Sequence, residues 1–213
     1  MKTYEPKLNT LFVVLGFLGD YMGRIVEKGK NLIEEFYPHE VEIAAEFETH
    51  LHNLIAEQNL KTTITRKVGR QGHVALLSPE IASLLNSYHV FVSKHLYARD
   101  DHDMSVYELP YSVFKPLEYN SPTFNEALDE RLSYLVGVYR RFGKDKEIRL
   151  ANGLTKPKNV FYLLNEISAP FGKYACQYVA WKVYPCNIPV GHAITFEPSA
   201  ELAKFLGISQ TEK

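Results

Sequence analysis

Leu8-Asn9-Thr10-Leu11-Phe12-Val13-Val14-Leu15-Gly16-Phe17-Leu18-Gly19-Asp20-Tyr21-Met22-Gly23-Arg24-Ile25-Val26 is the stretch on which the reading of the fold turns. Its apolar residues, continued by Leu32, Ile33 and Phe36, recur mostly three and four apart, the spacing of one face on a long helix. Gly16, Gly19, Gly23 and Gly29 interrupt that face, and each costs about 1 kcal/mol against alanine inside a helix. Such glycines mark either a break or the close approach of a second helix, and close approach is the expectation here. The same face, with Gly16, Gly19 and Gly23, would suit a homodimer contact. Leu11–Leu18 is too short to cross a bilayer, which takes about 20 apolar residues, and it lacks the flanks of a signal peptide.

Outward from that stretch, Pro38 suits a first helical turn, and Val41, Ala44, Ala45, Phe47, Leu51, Leu54 and Ile55 keep helical spacing to Asn59. The two helices make a pair over 8–59. Thr62, Thr63, Ile64, Thr65 and Val68, then Gly69-Arg70-Gln71-Gly72, then His73–Leu77, predict a β-hairpin over 61–77. Ser78-Pro79 opens a helix whose apolar positions run through Ile81, Leu84, Leu85, Tyr88 and Val92 to Leu96. A long connection from Ala98 to Ser121 follows, with Tyr107, Tyr111, Phe114 and Tyr119 to pin it, and long ordered connections tend to carry function.

Thr123 and Glu126 form a capping box for a helix that Gly143 ends after Phe142. A short helix lies after Pro157, and Tyr174–Tyr184 is read as helix although its Tyr, Val and Trp favour strand. Gly191–Phe196 is a short strand and Pro198–Leu206 a last helix stopped by Gly207. The expectation is therefore an α+β fold, mainly α: five to six amphipathic helices around one core, a hairpin near 61–77 and one further short strand. The chain reads as one domain over 1–213, with the helical pair at 8–59, the hairpin at 61–77 and a helical remainder at 79–207. No internal repeat is visible in the sequence.

A chain of 213 residues, 46% hydrophobic and 23% charged, has the composition of an ordinary globular protein, and a formal net charge of −1 excludes a uniformly basic one. The charge is uneven. Eight glutamates face two lysines between Glu27 and Glu57, whereas Arg140, Arg141, Lys144, Lys146, Arg149, Lys156 and Lys158 face only Asp145 and Glu147. That basic segment, flanked by Tyr139, Phe142 and Tyr162, suits phosphates and stacked bases, and Arg66, Lys67 and Arg70 of the hairpin extend it if they lie nearby. Two cysteines, Cys176 and Cys186, make no disulfide framework, so a cytoplasmic, reducing compartment is the simplest setting.

Two enzyme chemistries compete with this. Gly72-His73-Val74-Ala75-Leu76-Leu77 and Tyr174-Ala175-Cys176-Gln177-Tyr178-Val179-Ala180-Trp181-Lys182 resemble the His strand and Cys helix of papain-like NlpC/P60 hydrolases, in the His-before-Cys order of the permuted branch. The resemblance implies a Cys176 thiolate, activated at a helix N-terminus, with His73 as its base. His102-Asp103, with His50, His52, His73 and Asp145, is similar to the metal ligands of HD phosphohydrolases, and Glu46 and His50 stand one helical turn apart. The His-Asp pair lies in a polar, Pro-flanked stretch rather than a helix, so no metal or other cofactor is expected. No phosphate-binding glycine loop, zinc-protease motif or nucleophile elbow is present. The reading is a non-enzymatic binding or interaction protein, its partner an unknown protein or nucleic acid, with the 140–158 segment as the first contact to test.

Overall fold

The opening stretch does form a helix, but the helix stops after about two turns. In this computed structural model, which describes residues 7–19, 24–25, 31–92, 95–98, 106–109, 113–116, 128–151, 155–166, 176–182 and 189–208, α1 spans Thr10–Phe17. The Asn9 side chain caps it by accepting from the Leu11 N–H, and Leu18 leaves in an extended conformation. The predicted continuation to Phe36 is instead two strands, β1 (Arg24–Ile25) and β2 (Leu32–Phe36). The helical spacing of Leu32, Ile33 and Phe36 is overridden by a ladder to β4 (Val74–Leu77), in which Phe36 pairs with Val74 and Leu32 with Leu77 across a bulge. Backbone pairing with a remote strand outweighs a periodicity that short apolar runs share between helix and strand.

After a 3-10 turn at Pro38–Glu40, α2 (Val41–Glu57) buries Ala44, Phe47, Leu51 and Leu54 as its spacing predicts. The hairpin is present as β3 (Thr65–Val68) paired antiparallel with β4. α3 (Pro79–Asn86), capped by Ser78, ends well short of Leu96, because His89–Val92 turns into strand β5 and His95–Ala98 into β6. β5 pairs with β8 (Val113–Pro116), and β6 with β7 (Val106–Leu109). Part of the stretch expected to be a connection is thus strand; the rest of it, with the Thr123–Glu126 cap, lies outside the described residues.

α4 (Leu128–Phe142) is followed by β9 (Gly143–Lys144), β10 (Glu147–Ala151), α5 (Thr155–Glu166), β11 (Cys176–Lys182), β12 (Pro189–Phe196) and α6 (Ala200–Leu206). β11 corrects the helix expected over Tyr174–Tyr184: each residue from Cys176 to Trp181 pairs with β12, a register that satisfies the backbone where Tyr and Val already favour strand. Gly207 at φ 74° closes α6 as predicted. The fold is α+β, with six α-helices among the described residues, but far more strand than a mainly helical reading allows.

Element order exposes a repeat invisible in the residues. α-β-β-α-β-β-α runs from α1 to α3 and again from α4 to α6, with β5–β8 between. α1 and α4 meet at their glycines: a Cβ on Gly16 would collide with the Tyr134 carbonyl oxygen, and one on Gly137 with that of Val13, each three residues before the facing glycine. The contact is reciprocal, as a two-fold relation requires. Asn9 N–H donates to Ser133 Oγ at 2.8 Å and Arg141 Nη1 to the Phe17 carbonyl at 2.8 Å, so the helices run parallel with both C-termini at one end. Close approach of a second helix is thus the role of Gly16, and that helix belongs to the same chain, which occupies the surface a homodimer through Gly16 would need. Gly23 lies outside the described residues.

Candidate nucleic-acid interface

From this common end the chain passes from α1 through β1, which pairs with β8 in a separate sheet, to an antiparallel sheet in the order β2-β4-β3, and from α4 directly into one in the order β11-β12-β10-β9. Each sheet has one face covered by the helix of its repeat. Phe36 packs on Phe47 of α2 with ring centroids 5.4 Å apart, and Tyr178 on Phe161 of α5 at 5.9 Å. Strand alternation then sends the intervening residues to an uncovered face. On the second sheet that face carries Glu147, Thr195 and Gln177 in one row and Arg149, Ala193 and Val179 in the next, while Ile148, Leu150 and Ile194 are buried behind. Lys144, Lys146, Arg149, Gln177 and Thr195 border a shallow depression of about 740 Å³ there. On the first sheet, Thr65 opposes Leu77, and Lys67 opposes Ala75, which opposes Glu35. A second depression of about 560 Å³ lies between Lys61, Thr63, Thr65 and Lys67.

The seven basic residues of the 140–158 segment separate into two groups. Arg141 is sealed in the core of the helix end. Its side chain, 4% exposed, lies 3.0 Å from Glu40 and 3.4 Å from Glu34, stacks over the Phe36 ring at 4.5 Å, and donates to the Phe17 carbonyl. Burial pulls the pKa of this guanidinium down, but the two carboxylates outweigh it and the group ends above its ordinary value. Lys156, also 4% exposed, donates to the Gly16 carbonyl at 2.8 Å and to that of Leu18, and lies over the Phe142 ring at 4.9 Å. Both cations cap the C-terminus of α1, where unpaired carbonyls concentrate negative charge. Neither is available to a ligand. Arg140 is exposed but turns towards Glu46 of α2, 3.7 Å away.

Lys144, Lys146 and Arg149 are the members that reach the uncovered sheet, and Lys158 is exposed on α5. Lys146 pairs with Glu197 at 2.5 Å and Arg149 with Glu147, whereas Lys144 has no ion pair among the described residues. From the hairpin, Arg66 turns to Glu48 of α2 at 2.7 Å and Lys67 takes the uncovered face, with Arg70 exposed in the turn. Thr195 lies on the strand predicted over Gly191–Phe196, but Gln177 and Val179 belong to a face only if 176–182 is strand. Their period-two alternation with Tyr178 was the available signal.

The thiol dyad finds no support in the geometry. Cys176 opens a strand instead of a helix, so no helix dipole lowers its pKa, and burial pushes the thiol up. His73 sits at the far hairpin, 3.9 Å from Glu35, and no hydrogen bond joins it to Cys176 among the described residues. The metal constellation fares no better. His102 and Asp103 lie outside the described residues, and among those described no three His, Cys, Asp or Glu side chains are grouped to hold an ion. His50 lies 3.9 Å from Glu46, whose carboxylate also faces Arg140; burial lowers the pKa of this imidazole, Glu46 raises it and Arg140 lowers it. Among the described residues no helix is long and apolar enough to cross a membrane.

No protein-family model and no curated protein matches the chain. Solved structures do. Mesophilic variants of the homing endonuclease I-DmoI are similar at a TM-score of 0.53 and 12% identity, over 96% of this chain and 98% of that one. I-DmoI in complex with DNA and calcium gives 0.53 at 13% identity over 92% and 88%, and its complex with DNA and manganese 0.50 at 12% over 96% and 99%. At such identities the likeness is one of fold: a helix pair flanked by two sheets along almost the full length of both chains.

Proposed function

We propose that the chain is a DNA-binding protein that lays a duplex along the two uncovered sheet faces. The observation that carries the reading is the parallel helix pair, which sends both sheets out from one end with a helix behind each and none of the described residues over the other face. Strands of antiparallel sheets are among the elements that read a DNA groove. Lys144, Lys146 and Arg149 on or beside one sheet, and Lys67 on the other with Lys61 before it, would meet phosphates, while Gln177, Thr195 and Val179 offer the amide, hydroxyl and apolar contacts that read base edges. That similar folds are solved with DNA in place supports the same partner.

The test is fluorescence anisotropy of labelled duplex across a salt series. Affinity should fall linearly on a log–log plot, and Lys144→Ala, Lys146→Ala and Arg149→Ala together should weaken binding and shallow the slope by roughly 2–3, at about 0.9 for each phosphate that is no longer neutralised. Arg140→Ala should leave both unchanged. A triple variant that binds as the parent does would overturn the placement.

A second reading, in which the bound DNA is also cut, draws on the neighbour's being a homing endonuclease. Metal-assisted hydrolysis needs carboxylates that hold the ion, and the carboxylates described at the shared helix end, Glu34 and Glu40, are both committed to Arg141, while Lys156 caps the end of α1. They do not fit a divalent ion. Supercoiled DNA incubated with the protein and magnesium or manganese should remain uncut, and nicking would favour the second reading.

A further inference from the structure

We propose that Tyr37, His39 and His73 form a stacking platform for an unpaired nucleobase at the margin of the first sheet. The inference rests on the uncovered faces being the DNA surface. Tyr37 directly follows β2 and His73 directly precedes β4, at the end of the ladder where Phe36 pairs with Val74. Strand alternation puts both on the side of Glu35 and Ala75, the row that carries Lys67. The Tyr37 and His39 rings stack, 5.7 Å between centroids and 10° from parallel, and the His73 ring leans on Tyr37 at 5.2 Å and 59°. Tyr37 is nonetheless 56% exposed, among the most exposed large side chains described.

The platform is held rigidly. Tyr37 N–H donates to Glu40 Oε2 at 2.9 Å, and Glu40 is itself held by Arg141. The turn beside it is closed by Gly69 N–H donating to the His73 carbonyl at 2.8 Å and Gly72 N–H to that of Gly69 at 2.9 Å, and it presents Arg70 to solvent. An exposed, pre-ordered ring cluster next to Lys67 and Arg70 combines a π-face with phosphate-attracting charge, which is what unpaired nucleotides require. Paired bases inside a duplex offer only their edges to a protein, so ring faces like these are filled by a base that has left the stack.

The experiment compares a blunt duplex with the same duplex extended by a short single-stranded end that carries 2-aminopurine, for the parent, Tyr37→Ala and Tyr37→Phe. The parent should bind the extended duplex about 5-fold or more tightly than the blunt one, with 2-aminopurine fluorescence quenched on binding. Tyr37→Ala should lose both the preference and the quenching while still binding blunt duplex, and Tyr37→Phe should keep both. Equal affinity of the parent for the two duplexes without quenching, or a preference retained by Tyr37→Ala, overturns the platform and leaves DNA binding standing. Failure of the parent to bind either duplex overturns the proposed function and this inference with it.

Discussion

Arg141 shows how little a residue's type says about its role. A guanidinium in a run of basic residues looks like a ligand for phosphate, yet here it ties the end of α4 to α1, β2 and the Pro38–Glu40 turn through Phe17, Glu34, Glu35 and Glu40. Removing one partner from a buried ion pair costs about 3–5 kcal/mol. Arg141→Ala should therefore lower the thermal midpoint by roughly 6–20 °C, at about 2–4 °C per kcal/mol for a chain of this size, a drop that calorimetry would register. Cys176 is the opposite case, a residue with suggestive chemistry and none of the setting. With its thiol pushed up by burial, it should react with iodoacetamide at neutral pH more slowly than free cysteine, as mass spectrometry of a time course would show.

At the scale of elements, the decisive object is the crossing of α1 and α4. Gly→Ala inside an exposed helix usually gains about 0.5–1 kcal/mol. At Gly137 the sign should reverse, because the new methyl would meet the Val13 carbonyl and Gly16 Cα of a facing backbone that cannot yield without parting the helices. A loss of about 3 kcal/mol or more is expected for Gly137→Ala, measured as a shift in the urea midpoint. A gain in stability would mean that the helices do not cross there. The sheets behave differently, since their identity rests on pairing between segments far apart in sequence. β2 against β4, β5 against β8, β6 against β7 and β11 against β12 are the places where helical spacing misled, and in each the ladder supplies backbone hydrogen bonds that a lone periodicity cannot reveal.

For the whole molecule, the two repeats share one buried apolar cluster, drawing Phe17, Phe36 and Phe47 from the first and Leu135, Ile194 and Leu206 from the second. Perturbing either repeat should therefore be felt in both, and acid offers a clean probe. His192 of β12 is fully buried, with Nδ1 2.7 Å from the Tyr178 hydroxyl, and burial lowers its pKa. The pKa of His50 is lowered as well. A histidine whose folded pKa lies below its unfolded value of about 6.5 contributes fully above that value and loses its contribution as pH falls towards the folded pKa. Stability should accordingly be flat from pH 8 to about 7 and decline below about 6.5, and His192→Gln should make the decline shallower in chemical denaturation at stepped pH.

The sequence by itself determined the local pieces: the helical faces of α2 and α6, the hairpin of β3 and β4, the caps at Ser78 and Gly207, and the need for a close neighbour at Gly16. These depend on side-chain spacing and backbone preference within a dozen residues, which the order of residue types records directly. It also flagged Lys144, Lys146 and Arg149 as a basic cluster. Only the tertiary structure decided that Arg141 and Lys156 leave that cluster to cap α1, that residues 176–182 form a strand whose outer face carries Gln177 and Val179, and that two unlike halves repeat one order of elements about a glycine crossing. Each of those outcomes is settled by contacts between residues far apart in the chain, where burial, ion pairing and ladder formation outweigh the local preferences that a sequence displays.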